Sequence, residues 1–131
     1  MKSAAVPRPT GAELDILRIL WRLGPTTVRE VHQAYLSHAP TVGYTTVLKL
    51  LQIMHGKRIV DRDASRRAHV YRPLLQKESV QKDLTRDLVQ GIFDGSRSQL
   101  VMHALGDHAR ATAGELAEIR VLLDRLEQRR S

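Results

Sequence analysis

Between Thr10 and Lys57 the apolar residues recur every three or four positions, in three blocks separated by turn residues. Leu14, Leu17, Leu20 and Trp21 form the first block, and Gly24-Pro25 closes it. Val28, Val31, Ala34 and Tyr35 form the second, which fades at Ser37-His38-Ala39-Pro40. Val47, Leu50, Leu51 and Met54 form the third. This spacing predicts three short helices, each with one apolar stripe. Thr10 to Glu13 and Thr27 to Glu30 are T-x-x-E capping boxes that start the first two. After Lys57 the period changes. Arg58–Asp63 and Ala68–Arg72 carry β-branched and aromatic residues, with Ala64-Ser65-Arg66-Arg67 as a turn, and predict a β-hairpin that Pro73 breaks off.

From Leu74 onward only helical spacing remains. Val80, Leu84, Leu88 and Ile92 recur every four residues up to a Phe93-Asp94-Gly95-Ser96 turn. A short helix with Leu100, Val101, Ala104 and Leu105 follows and stops at Gly106. A third capping box, Thr112 to Glu115, opens a last helix with Leu116, Ile119, Leu122, Leu123 and Leu126. The expected fold is mainly α with a small β-hairpin: a winged helix-turn-helix domain at 10–73 and a three-helix dimerisation domain at 74–131. Residues 1–9, with Pro7 and Pro9, are expected to be a flexible tail. The second unit is too small to bury its leucines alone, which predicts pairing with a second copy. The expected pairing residues are Leu84, Leu88, Phe93, Leu100, Leu116, Ile119, Leu122, Leu123 and Leu126.

Charge sharpens this division. Through Pro73 there are 12 Lys and Arg against 5 Asp and Glu; beyond it there are 9 of each, so the first unit carries the whole formal net charge of +7. A basic surface confined to one module is the electrostatic footprint of a polyanion partner. In the third helix Thr45, Thr46, Lys49 and Gln52 lie away from the apolar stripe, and none is acidic. Such side chains reach base edges and phosphates in a major groove. Arg58, Arg66 and Arg67 are expected at phosphates, and a two-fold dimer would set two reading helices ~34–36 Å apart on the duplex. The alternative function is a winged-helix adaptor that binds protein.

Other chemistry is poorly supported. The 131-residue chain has no cysteine, so disulfides and thiolate metal sites are excluded. His32, His38, His55 and His69 are scattered, and His103 and His108 are five apart, off a common helix face. Asp61 and Asp63 share one strand side but sit beside a basic wing; Asp63 is expected to balance the nearby arginines. Nucleotide-binding, hydrolase and zinc-protease motifs are absent. The expectation is no enzyme, no cofactor and no metal. No apolar run approaches the ~18 residues of a membrane span, and the first ten residues lack the apolar core of a signal peptide. A cytoplasmic protein without membrane insertion is expected.

Several motifs in order resemble one family. Ala12-Glu13-Leu14, Ile19-Leu20-Trp21, Thr27-Val28-Arg29-Glu30-Val31, Tyr44-Thr45-Thr46-Val47-Leu48, Tyr71 and Phe93-Asp94-Gly95-Ser96 resemble the BlaI/MecI family of penicillinase repressors, which includes CopY-type regulators. The resemblance runs from about Thr10 to Leu126. It implies a winged-helix domain followed by a three-helix dimerisation domain, and a dimeric repressor on a palindromic double-stranded DNA operator. It adds Tyr44 to the reading helix. In the better-known members a membrane metallopeptidase sensor triggers cleavage in the dimerisation domain. The matching bond is His103-Ala104 here, where those repressors have Asn-Phe. The cysteines of CopY-type members are missing, which excludes their copper or zinc sensing. The family's Lys-Gly before the wing is Lys57-Arg58, so Gly56 is expected to supply the helix stop.

Overall fold

The computed structural model describes residues 7–106 and 110–130. Six helices and three short strands follow in the order α1 (Gly11–Leu23), β1 (Thr26–Thr27), α2 (Val28–Tyr35), α3 (Tyr44–Gly56), β2 (Val60–Asp63), β3 (Val70–Pro73), α4 (Lys77–Gly91), α5 (Arg97–Leu105) and α6 (Ala113–Arg130). The expected mainly helical fold with a hairpin is present. All three T-x-x-E boxes form: the hydroxyls of Thr10, Thr27 and Thr112 accept from the amides of Glu13, Glu30 and Glu115, and each carboxylate accepts from the threonine amide.

The chain divides into two compact units, Met1–Leu84 and Thr85–Ser131, at a point inside α4. In the first unit the stripes of α1, α2 and α3 meet over one core. Ile16, Leu17, Leu20, Val31, Val47, Leu51, Met54, Ile59 and Val60 are fully buried. At ~1.5–3 kcal/mol per buried large side chain, this cluster is the main stabiliser of the unit. Leu50 packs half-buried at its edge. Trp21 packs there too, and its indole N–H donates to the Leu75 carbonyl at 2.9 Å, so that N–H is already used.

The sheet holds more than the hairpin. β1 adds to the far side of β3, giving the order β1-β3-β2, with Thr26 opposite Tyr71 and Thr27 opposite Val70. Two residues are too short for a legible alternation, and Thr27 also caps α2. Pro73 does not break the strand before the ladder ends; it is the last residue of β3, opposite Val60. A strand end tolerates proline because no amide is needed there. The first wing strand begins at Val60 rather than at Arg58.

Arg58 takes the left-handed conformation at φ 63°, and Gly56, expected as the stop, is the last helical residue. Arg58 N–H donates to the His55 carbonyl and Ile59 N–H to the Met54 carbonyl, at 3.1 and 2.9 Å. That pair of bonds is the Schellman termination, in which the left-handed residue is usually glycine. Ile59 and Met54, both fully buried, supply its apolar contact.

Glu13 is only 2% exposed, an unusual place for a carboxylate. Its Oε1 closes the capping box of α1, and Lys57 Nζ donates to both oxygens at 3.2 and 2.9 Å. The start of α1 is thereby tied to the end of α3. Burial pushes the Glu13 pKa up, but the Thr10 amide and the Lys57 ammonium outweigh it and the net direction is down. Lys57 is part-exposed and keeps water contact, so Glu13→Ala is expected to cost about 2 kcal/mol in a denaturant titration. The folded pKa lies below the unfolded value of about 4.3, so the contribution is full above that pH and is lost as pH falls through the lowered folded pKa.

In the second unit the helices leave many of their apolar residues exposed. α5 and α6 bury no residue, and α4 buries only Val89 on this side of the division. Leu88, Ile92, Val101, Met102, Leu122, Leu123 and Leu126 are all exposed. Asp94 and Gly95 turn the chain between α4 and α5 with φ of 49° and 84°, and the Ser96 hydroxyl caps α5. No helix among the described residues is long and apolar enough to cross a membrane.

Candidate nucleic-acid interface

α3 presents two faces. Val47, Leu51 and Met54 point into the core, while Thr45, Thr46, Lys49, Gln52 and Ile53 are exposed. Residues 45, 49, 52, 53 and 56 share one helical stripe by their spacing. Ile53, half-exposed, belongs to this outer face and offers an apolar contact of the kind a thymine methyl accepts. It was missed because an isoleucine beside an apolar stripe reads as core; its four-residue step from Lys49 was the available signal. No acid occurs anywhere in α3, so nothing on this face repels a phosphate.

The entry to α3 is held by the preceding helix. Tyr44 is the first helical residue and is 46% exposed. The His32 ring meets it edge-on at 5.9 Å, and His32 Nε2 lies 2.9 Å from the Val42 carbonyl, the N–H donating. His32 thus pins both the turn before α3 and the first aromatic side chain on it. Its role depends on an approach across ten residues of sequence, which no local motif announces. Gly43 brings no side-chain acceptor to the first-turn amides of α3, so no side chain caps that helix start.

The wing sorts its charges. Arg72 donates to Asp61 Oδ2 at 2.7 and 3.3 Å across the β2–β3 register, and the Arg72 guanidinium holds the Asp61 carboxyl below its usual range. Asp63 accepts from the Ser65 amide at 2.9 Å and stabilises the turn; bonds from Ser65 chiefly lower its pKa, with a smaller contribution from Arg66. Asp63 therefore shapes the tip first and balances arginine second. Arg66 and Arg67 are exposed at that tip. Neither they nor Arg58 and Lys49 form an ion pair with a described carboxylate. Arg62, half-buried on β2, has none either. Lys57, by contrast, is spent on Glu13.

Arg58 combines an exposed cation with a backbone conformation that disfavours a side chain. Arg58→Gly should therefore raise stability by about 1 kcal/mol in thermal unfolding. The same change should weaken binding to any duplex and lower the salt slope by about 1. Opposite signs in the two measurements would locate backbone strain at a functional position.

The remaining expected residues fall in the second unit. Leu88, Leu122, Leu123 and Leu126 are exposed, while Phe93, Leu100, Leu116 and Ile119 are half-buried; Leu84, also half-buried, closes the first unit. His103 and Ala104 lie exposed within α5, and the His103 ring stands 5.5 Å from Phe93. His108 lies outside the described residues, as do residues 1–6 of the expected tail. Arg8, just beyond them, reaches Asp83 at 3.3 Å. Among the described residues no three His, Asp or Glu side chains gather as a metal-ion set.

The family model described as penicillinase repressor matches residues 9–125. The transcriptional regulator BlaI of Mycobacterium tuberculosis strain CDC 1551 / Oshkosh is 34% identical over 122 residues, covering 88% of each chain. The same regulator from strain ATCC 25618 / H37Rv matches equally. Among solved structures, a MarR family protein from Bacillus stearothermophilus aligns with a TM-score of 0.46 at 21% identity, over 92% of this chain and 74% of that one.

Proposed function

The chain belongs to the penicillinase repressor family, and from that premise we propose that it acts as a two-fold dimer whose paired α3 helices read a palindromic operator. It is a transcriptional repressor of the winged-helix DNA-binding type and not an enzyme. The observation that carries the finer reading is the outer face of α3. Thr45, Thr46, Lys49 and Gln52 stand exposed on a helix without an acid, beside a wing whose tip arginines have no carboxylate partner among the described residues.

In this reading α3 lies in the major groove. Tyr44 and the first-turn amides meet the backbone, Thr45 and Thr46 meet base edges or thymine methyls, and Lys49 meets a guanine edge or a phosphate. Arg58, Arg66 and Arg67 neutralise phosphates and set register. The domain reading follows: 10–73 recognises DNA and the helices after it hold the copies together, with the exposed leucines of α4 and α6 as the shared surface. Covering the operator blocks transcription, and an upstream signal releases it. Cleavage at His103-Ala104 would require the last turn of α5 to unwind first, since the bond lies within that turn. A membrane metallopeptidase fits as the source of the signal only if it accepts that sequence.

The test is a binding titration on the operator and on random duplex. Thr46→Ala should lower operator affinity by ~1–3 kcal/mol and leave random-duplex affinity nearly unchanged. Equal loss on both duplexes would remove Thr46 from base reading. Binding to random duplex that is negligible at low salt would favour the protein-adaptor function instead.

A further inference from the structure

We propose that the first unit carries a second site, a cavity between α1 and α2 that binds an organic monocarboxylate with a flat apolar body. The cavity has a volume of about 540 Å³, within the ~300–1,000 Å³ range of small-molecule sites. Its floor is apolar: Ile19, Trp21 and Ala34 line it, together with the buried ring of Tyr35. Its rim is cationic, from Arg18 and Arg22 on α1 and Lys77 on α4.

The charge balance selects the ligand. Asp15 is the one carboxylate in the lining, and it is already engaged. Its Oδ2 accepts from the Tyr35 hydroxyl at 3.4 Å and lies 3.2 Å from His38 Nε2. Arg18, Arg22 and Lys77 form no ion pair with any described carboxylate. Three cations without an ion-pair partner among the described residues therefore surround an opening lined by a single carboxylate, so positive charge is in excess there. A carboxylate is the group that arginine receives with two parallel bonds. A bare phosphate would satisfy the rim but leave the apolar floor wet, whereas an aromatic acid covers both. The Tyr35 and His38 rings, stacked at 5.8 Å and 28°, extend the flat wall such a body would meet.

The site is separate from the outer face of α3, so it stands or falls independently of the DNA reading. It nevertheless touches the segment that leads into that helix. The Tyr35 carbonyl accepts from the amides of His38 and Ala39, and the Ala39 carbonyl from that of Val42, two residues before α3.

Trp21, the single tryptophan, lines the cavity and reports on it directly. Sodium benzoate titrated into the full chain should change Trp21 emission along a saturable isotherm. Benzamide, equal in shape and uncharged, should bind at least tenfold more weakly, and inorganic phosphate should not displace benzoate. The Arg18→Gln/Arg22→Gln variant, altered only at exposed positions of α1, should lose at least tenfold in benzoate affinity with unchanged helical circular dichroism. Benzoate without saturation, benzamide as tight as benzoate, displacement by phosphate, or unaltered affinity in that folded variant would each overturn the site. If the double variant does not fold, Lys77→Gln is read in its place, with at least a threefold loss expected and unchanged affinity overturning the proposal.

Discussion

Replacing Leu123 and Leu126 with aspartate is expected to undo the proposed dimer, leave a folded monomer and cut operator affinity by ~100-fold or more. The two leucines stand one helical turn apart on α6 and are 51% and 43% exposed. Charging them should therefore leave the single chain intact while making the shared surface unfavourable to bury. Units of this size rarely stabilise themselves with one core, and the second unit has almost none of its own. Loss of pairing converts two linked half-site contacts into independent ones, which is the origin of the large factor. Sedimentation gives the oligomeric state and a mobility-shift titration the affinity. A double-aspartate protein that still sediments as two 14.8 kDa copies would exclude α6 as the contact surface.

The second large effect belongs to the wing. Arg66→Ala/Arg67→Ala should weaken binding to operator and random duplex alike and make the log affinity against log salt less steep by about 2. Both guanidiniums sit at the exposed tip without a carboxylate partner among the described residues, so removing them strands no described anion, and the melting temperature should hardly move. Arg72→Ala is the contrasting control. That arginine is committed to Asp61 across the strands, so its loss should reduce the salt slope much less. A slope unaffected by losing Arg66 and Arg67 would move the phosphate contacts off the wing.

Most of the helical framework was legible in the chain because its causes are local. A threonine three residues before a glutamate closes a helix start wherever it occurs, and all three such boxes formed. The stripe of α3 was legible for the same reason, since 3.6-residue periodicity and burial have a common geometry. The third strand was not, because Thr26 becomes a strand residue only by lying opposite Tyr71. The burial of Glu13 was equally hidden: its partner Lys57 is 44 residues away. The termination of α3 went to Arg58 although Gly56 stood nearer, because the buried Met54–Ile59 contact sets where the helix must turn.

The sequence by itself determined where α1, α2 and α6 start, where the apolar stripes of the first three helices lie, and that the positive charge belongs to the first unit. Those properties follow from spacing and composition, and no distant residue alters them. Tertiary structure decided which charges remain available. Lys57 and Arg72 are paired with Glu13 and Asp61, Asp15 is engaged by Tyr35 and His38, and Arg58, Arg66, Arg67, Arg18 and Arg22 have no ion-pair partner among the described residues. A charge is neutralised by whatever the fold brings within a few ångströms of it, and that distance is written in no single stretch of the chain.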